Sequence, residues 1–236
     1  DESMSNARKG LALARKAGAR KNESHMLNGI GLISIEQNDF SAAIKYLDQS
    51  IKLAREISDA VIEIGALNNL GNAAGLLGDY SMARDCYERS YKNVHVRGDR
   101  YGEGLILSNL GWVAGMQGDF VASRSYQEQA LNIAREVGNP YQEAYTLINL
   151  SAVLGIQGEA GAALECGRLG YDLCRKIGEH SGEAWALLNM GHASVLAEEL
   201  ESAQLAYDQC LAIRDEMRQS NLSAEALAGL AQIALL

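Results

Sequence analysis

Four asparagines recur at a fixed spacing and carry the most distinctive side-chain chemistry in this sequence. They are Asn69, Asn109, Asn149 and Asn189, and each lies within a segment that has helical apolar spacing. Asparagine is a mediocre helix former, so helix propensity does not account for its presence there. Its amide offers two donors and an acceptor, which match the backbone of an extended peptide. We therefore expect these amides to hold a peptide. The alternative is that each amide bonds a neighbouring helix and fixes the geometry of the fold.

Three large aromatic residues lie in the corresponding segments. Trp112, Tyr145 and Trp185 could form an aromatic, uncharged floor for a hydrophobic ligand. Ordinary helix packing is the alternative use for such residues. No cluster of lysine or arginine shares these positions, so a cationic clamp for a carboxylate is not expected.

The sequence lacks the residue patterns that are typical of catalysis or cofactor binding. The sequence contains no Gly-x-x-x-x-Gly-Lys phosphate loop and no recognisable serine or cysteine nucleophile motif. The four histidines are His25, His95, His180 and His192. They are too far apart along the chain to share a metal ion on one helix. We therefore expect a protein that is not an enzyme and that holds no cofactor and no metal.

Composition and charge exclude further classes of function. The formal charge is −9, and no basic block is present that could neutralise phosphates, so direct binding to nucleic acid is not expected. Apolar runs are short and interrupted, which predicts no membrane span. The 4 cysteines lack Cys-x-x-Cys spacing, and this favours free thiols in a reducing compartment. The predicted location is the cytoplasm.

The segments that carry these residues repeat every 40 residues. Gly78-Asp79-Tyr80 recurs as Gly118-Asp119-Phe120, at the same step as the asparagines. Each repeat contains two predicted helices, which in one copy cover residues 62–77 and residues 80 to about 96. Between them, glycine tolerates the left-handed conformation at a helix end, and aspartate caps the next helix.

The repeat predicts an all-α solenoid in which helix pairs stack, because one pair cannot bury its apolar face alone. We expect a single solenoid over residues 1–236. Its predicted parts are a half unit at 1–18, units at about 20–59, 60–99, 100–139, 140–179 and 180–219, and a half unit at 220–236. Neither end has the polar cap that closes natural solenoids, so we expect a segment of a longer protein.

With this repeat, the sequence resembles the tetratricopeptide repeat family. The Leu70-Gly71 pair, followed by Ala83, Tyr87 and Ser90, has the large and small residues of that family at the family's spacing. The 40-residue form resembles repeats in polarity adaptors, in kinesin light chains, and in sensor regions of bacterial signalling ATPases and transcriptional activators. The resemblance implies a right-handed superhelix of antiparallel helix pairs, whose first helices line a concave groove.

The resemblance also assigns residues to that groove by position. The predicted ligand- or peptide-binding residues are Asn68, Asn69, Asn72, Leu105, Asn109, Trp112, Tyr145, Asn149, Trp185, Asn189 and His192. The implied partners are a protein or peptide in the groove and other domains of the parent protein. The function we expect is that of a sensor segment of a multidomain signalling protein, a STAND-type ATPase or a transcriptional regulator, which binds a peptide, protein or inducer. A stand-alone scaffold and a helical domain of an enzyme remain alternatives.

Charged residues recur where one repeat meets the next. The spacing predicts structural ion pairs between Arg15 and Glu23, and likewise for Arg55 with Glu63, His95 with Glu103, Arg135 with Glu143, and Arg175 with Glu183.

Overall fold

A computed structural model describes residues 2–219 and 222–235 of the chain. Residue 1, in the first predicted half unit, and residues 220, 221 and 236, in the second, lie outside the described residues. The described part forms twelve α-helices and no strand. They are α1 (Glu2–Lys16), α2 (Arg20–Glu36), α3 (Phe40–Glu56), α4 (Ala60–Leu77), α5 (Tyr80–Val96), α6 (Arg100–Met116), α7 (Phe120–Val137), α8 (Pro140–Ile156), α9 (Ala160–Ile177), α10 (His180–Leu196), α11 (Leu200–Glu216) and α12 (Ala224–Ile233).

The chain divides into two compact units. Unit 1 is Asp1–Gln117 and contains α1 to α6, and unit 2 is Gly118–Leu236 and contains α7 to α12. Within each unit, consecutive helices pack against one another, and so do some alternate ones: α2 with α4, α8 with α10, and α10 with α12. The predicted all-α fold of stacked helix pairs is confirmed.

Turns between helices recur with the period of half a repeat, and each contains one residue with positive φ. At Gly78, φ is 89°, a conformation that glycine adopts without steric cost. Asp79 follows, and its carboxylate accepts a hydrogen bond of 2.9 Å from the Met82 amide, which caps α5. The other positive-φ residues are Gly18, Asn38, Ser58, Gly98, Gly118, Gly138, Gly158, Gly178, Glu198 and Arg218.

Within a repeat, the two helices interlock by placing a small residue against a large one. Gly71 of α4 faces Tyr87 of α5, and a Cβ atom at Gly71 would lie 2.5 Å from the tyrosine ring. Tyr87 is completely buried, and its hydroxyl donates to Asn72 Oδ1 at 2.6 Å. Gly191 and Tyr207 repeat this arrangement in unit 2.

The junctions between repeats carry the predicted ion pairs at four of five places. The nitrogen-to-oxygen distance is 2.9 Å for Arg15 and Glu23, and the pairs Arg55–Glu63, His95–Glu103 and Arg135–Glu143 measure 2.6, 2.7 and 2.8 Å. The fifth junction differs from the prediction. There Glu183 pairs with His180 at 3.0 Å, and the Arg175 guanidinium lies 5.8 Å from the centre of the Tyr171 ring. A histidine at the start of α10 is closer to Glu183 in sequence, and an aromatic face is available to the arginine.

No helix in the described ranges has the combination of length and apolar character that crossing a membrane requires. The cysteines are free, with Cys86, Cys174 and Cys210 buried and Cys166 half-buried.

Candidate ligand-binding surface

The asparagine amides of unit 1 link neighbouring repeats. Asn69 Nδ2 donates to Asn28 Oδ1 at 3.0 Å, and Asn109 Nδ2 donates to Asn68 Oδ1 at 2.8 Å. In both pairs the acceptor precedes the donor by 41 residues, so each bond joins the first helices of adjacent repeats. All four side chains are half-buried.

Unit 2 contains the other two asparagines of the series. Asn189 Nδ2 donates to the backbone oxygen of Ile148 at 2.9 Å, again 41 residues earlier, and Asn149 is half-buried on α8. Three of the four amides therefore have the geometry of the structural alternative, in which the amide fixes one repeat against the next. Contact between this series and a ligand backbone stays a prediction.

The three predicted aromatic residues are also engaged by neighbouring helices. Trp112 packs against Gly75, where an added Cβ atom would lie 2.5 Å from the indole. The indole also meets the Tyr80 ring edge-on, with the ring centres 6.2 Å apart. The Tyr145 hydroxyl donates to Glu179 at 3.1 Å. Trp185 has the Arg214 guanidinium 4.5 Å above its ring. All three are half-buried, as expected for packing residues, and a continuous aromatic floor is not needed to explain their positions.

The two remaining predicted residues of unit 1 have separate roles. Asn72 accepts the Tyr87 hydroxyl, which holds its side chain against the second helix of its own repeat. Leu105 is 37% exposed on α6 and is available to solvent. In unit 1 the structure therefore places most of the predicted polar residues in bonds between helices.

Unit 2 contains a cavity of about 490 Å³ that brings together two of the predicted residues, Asn189 and His192. We call it the α8–α10–α12 pocket, after the helices that supply most of its lining. Its volume lies within the range of about 300–1,000 Å³ that is usual for ligand sites. The lining residues are Ser151, Ala152, Gly155, Ile156, Asn189, His192, Val195, Leu196, Tyr207, Glu225 and Gln232.

The walls of this pocket combine exposed apolar side chains with a few polar groups. Ile156 is 61% exposed and Leu196 is 46% exposed, at the ends of α8 and α10. Large apolar side chains left open to solvent beside convergent polar groups are typical of a binding site.

A tyrosine–histidine pair forms the polar part of the pocket. The Tyr207 hydroxyl and His192 Nδ1 are 2.8 Å apart. Burial raises the pKa of Tyr207 to about 12, so the phenol is neutral near pH 7 and donates. Partial desolvation beside Tyr207 lowers the pKa of His192, and the Glu225 carboxylate opposes this shift only in part. A neutral imidazole that accepts at Nδ1 carries its hydrogen on Nε2, which leaves a donor on its solvent-accessible edge.

The electrostatic character of the two units differs sharply. Residues 1–117 contain 14 basic and 14 acidic side chains, whereas residues 118–236 contain 7 and 16, so the formal charges are 0 and −9. The unit that contains the pocket therefore carries the entire net charge of the chain.

Several residues of the pocket were not predicted as site residues, among them Tyr207 and Glu225. A signal for Tyr207 was present in the sequence. Tyr207 follows Tyr87 by three repeats, as His192 follows Asn72, so the bond from tyrosine to the first helix is the same in both units. Glu225 comes from α12, whose contribution depends on how that helix packs on α10.

Within residues 2–219 and 222–235, no group of three or more His, Cys, Asp or Glu side chains is placed to hold a metal ion. The pocket offers one carboxylate and one imidazole, together with amide and hydroxyl groups. This is a set suited to hydrogen bonding with an organic ligand.

Fold and pocket together define a helical-repeat protein with a ligand-sized cavity on its first helices. Two family models described as "Tetratricopeptide repeat" match residues 24–57 and residues 62–136. The expected resemblance to the tetratricopeptide repeat family is thereby confirmed over these residues. No curated protein sequence matches the chain.

Solved structures with the same fold have low sequence identity to this chain. BtubC (BKLC) from P. vanneervenii is 16% identical with a TM-score of 0.77, and the match covers 92% of this chain and 91% of that one. A Signal Transduction ATPase with Numerous Domains (STAND) protein with a tetratricopeptide repeat sensor, from Pyrococcus horikoshii, is 16% identical with a TM-score of 0.72, over 92% of this chain and 34% of that one. NprR in complex with its cognate peptide NprX is 17% identical with a TM-score of 0.72, over 96% of this chain and 66% of that one.

Proposed function

We propose that this chain is a peptide-recognition module, and that its ligand occupies the α8–α10–α12 pocket. The observation that carries the proposal is the pocket itself. It has the volume of a ligand site, apolar walls formed by Ile156 and Leu196, and hydrogen-bonding groups on Asn189 and His192. The complex of NprR with a peptide supports a peptide as the class of ligand.

The larger context that we propose is a sensor segment of a signalling protein, located in the cytoplasm and acting without catalysis. The likeness to the STAND protein supports this context, since there a tetratricopeptide repeat sensor belongs to a chain about three times as long. A stand-alone scaffold is the second candidate, and the match over most of BtubC supports it. The mass of the native protein in its source cell, measured by immunoblot, distinguishes a large signalling protein from a free scaffold.

Unit 1 suggests a variant that tests the pocket directly. Trp112 covers Gly75, and His192 and Gly155 occupy the corresponding positions two repeats later. His192→Trp should therefore fill the pocket above Gly155. It also removes the bond to Tyr207, so thermal melting is used to show that the variant is folded. Because the native histidine is exposed, the larger ring has room to adopt this position.

The experiment is selection of random linear peptides on the purified chain, followed by fluorescence anisotropy with the selected peptides. We expect bound peptides whose affinity falls at least about tenfold in His192→Trp, because the cavity is occupied. Asn109→Trp is avoided as a control, since it would break a bond between repeats, and Val96→Trp serves instead. Val96 is an exposed residue of unit 1 that was not predicted to bind a ligand. Selection that yields no specific peptide contradicts peptide recognition, and binding that His192→Trp leaves unchanged contradicts the assignment to this pocket.

A further inference from the structure

The charge of unit 2 is concentrated near its last two helices. Between residues 198 and 225 the sequence contains seven acidic residues, and all of them are exposed. They are Glu198, Glu199, Glu201, Asp208, Asp215, Glu216 and Glu225. One of these, Glu225, lines the pocket.

The basic residues of the same stretch do not balance this charge at the surface. Arg214 is completely buried, with its guanidinium over the Trp185 ring and its Nη1 donating to Gln219 Oε1 at 3.0 Å. Arg218 is the other basic residue, and it is exposed. The exposed charged groups on α11 and α12 are therefore all carboxylates. They attract cations over distances of about one Debye length, roughly 8–10 Å at ordinary salt.

Inside the pocket, the same sign of charge lies beside apolar walls. A lysine or arginine side chain combines an aliphatic stem with a cationic head, so it can contact an apolar wall and a carboxylate at once. Ile156 and Leu196 supply the apolar surface, and Glu225 supplies the carboxylate. The neighbouring imidazole of His192 competes little as a counterion near neutral pH, because burial lowers its pKa and favours the neutral form.

We propose that the α8–α10–α12 pocket selects a peptide segment in which a lysine or arginine adjoins aliphatic residues, with the cationic head against Glu225. The proposal rests on the proposed peptide-binding function and adds the chemistry of the ligand. An acidic segment would meet the net charge of −9 on this unit and is disfavoured.

The test uses a positional-scanning library of short blocked peptides, in which one position at a time is fixed as lysine, glutamine or glutamate. Binding to the purified chain is measured by competition against a labelled peptide from the selection experiment. We expect lysine to be preferred at one position, with glutamine weaker and glutamate weakest. The preference should decrease as salt is raised, since exposed charges are screened.

Three variants locate the effect. Glu225→Gln should reduce the lysine preference about two- to fivefold, the range for an ion pair that involves an exposed carboxylate. Glu216→Gln removes the same charge from an exposed position that does not line the pocket, and should leave the preference nearly unchanged. Ile156→Gln should weaken all peptides alike, because it removes apolar wall and no charge. Thermal melting confirms that each variant is folded.

Each outcome separates this proposal from the function on which it rests. Peptides that bind with no preference for lysine overturn the charge selection, while peptide recognition stands. Equal losses in Glu225→Gln and Glu216→Gln also overturn it, since the attraction would then come from the whole surface and not from the pocket. If no labelled peptide can be obtained by selection, the proposed function itself has failed, and the ligand chemistry fails with it.

Discussion

Replacing Gly71 with alanine should destabilise unit 1, although alanine is the better helix former. The added Cβ atom would lie 2.5 Å from Tyr87 Cε1, which is far inside van der Waals contact. Tyr87 cannot move away easily, because the ring is completely buried and its hydroxyl is bonded to Asn72. Overpacking of this kind costs about 1–3 kcal/mol. The gain from helix propensity is about 0.5–1 kcal/mol, and the middle values of the two ranges leave a net loss of about 1 kcal/mol.

Gly65 provides a matched control in the same helix. No heavy atom outside its own helix segment lies within 4 Å of a Cβ atom built there, so Gly65→Ala keeps only the helix-propensity gain. Urea unfolding followed by far-ultraviolet circular dichroism measures both variants. We expect changes of opposite sign, with Gly65→Ala the more stable and Gly71→Ala the less stable protein.

A double variant tests whether the tyrosine ring is the cause. Tyr87→Leu replaces the ring with a smaller aliphatic side chain, and the alanine methyl group can then occupy the space that is left. Combined with Gly71→Ala, it should be less destabilised than the sum of the two single variants, since the residues are in contact. If Gly71→Ala is as stable as the parent, or if the two changes are additive, the interlocking of glycine and tyrosine does not hold the helices together.

Three further predictions concern bonds and titration. Asn68→Ala and Asn109→Ala should show a coupling free energy of about 1 kcal/mol in a double-mutant cycle, because their amides share one hydrogen bond, and additive losses would contradict that bond. Burial raises the pKa of the Cys86 thiol to about 12, so a thiol reagent at pH 8 should modify half-buried Cys166 first and Cys86 only on unfolding. The pKa of His192 is lowered in the folded state. The stability contributed by the neutral side chain is therefore complete above the unfolded pKa of about 6.5 and is lost as the pH falls through the folded pKa. His192→Asn should remove that part of the pH dependence, and an unchanged profile in urea unfolding at pH 5 and pH 7 would contradict the lowered pKa.

Local features of the fold were predictable because each depends on residues close in sequence. The helix over residues 62–77 begins two residues earlier, at Ala60, and the helix from Tyr80 to Val96 has the predicted bounds. Caps such as Asp79 are fixed by bonds to a residue three positions on, which the sequence displays directly. The ion pair of Arg55 and Glu63 was equally easy to predict, because its two residues are separated by only one turn between helices.

The pocket was harder to predict, since it depends on how separate helices pack. Its position follows from Ala152, a small residue on α8, and from α12, which brings Glu225 beside α10. No residue pattern near Asn189 indicates a cavity. The role of the asparagine series was also undecided by residue type alone, because an amide bonds a peptide and a neighbouring helix equally well.

Two equivalent positions in the repeats differ in what their side chains contact. The first is the asparagine position, and the second lies three residues later. The first is occupied by asparagine in four successive repeats, and three of those amides bond the preceding repeat. The second contains Asn72, Trp112, Ala152 and His192, which differ in size and polarity, although Asn72 and His192 both bond a tyrosine of the following helix. A position that holds repeats together must keep its bond and hence its residue type, whereas a position that faces the open side of the first helices is under no such constraint. The large Trp112 closes the space above Gly75, and the small Ala152 helps to leave the pocket of unit 2 open. We therefore expect the residue at this second position to decide whether a repeat leaves room for a ligand on its first helix.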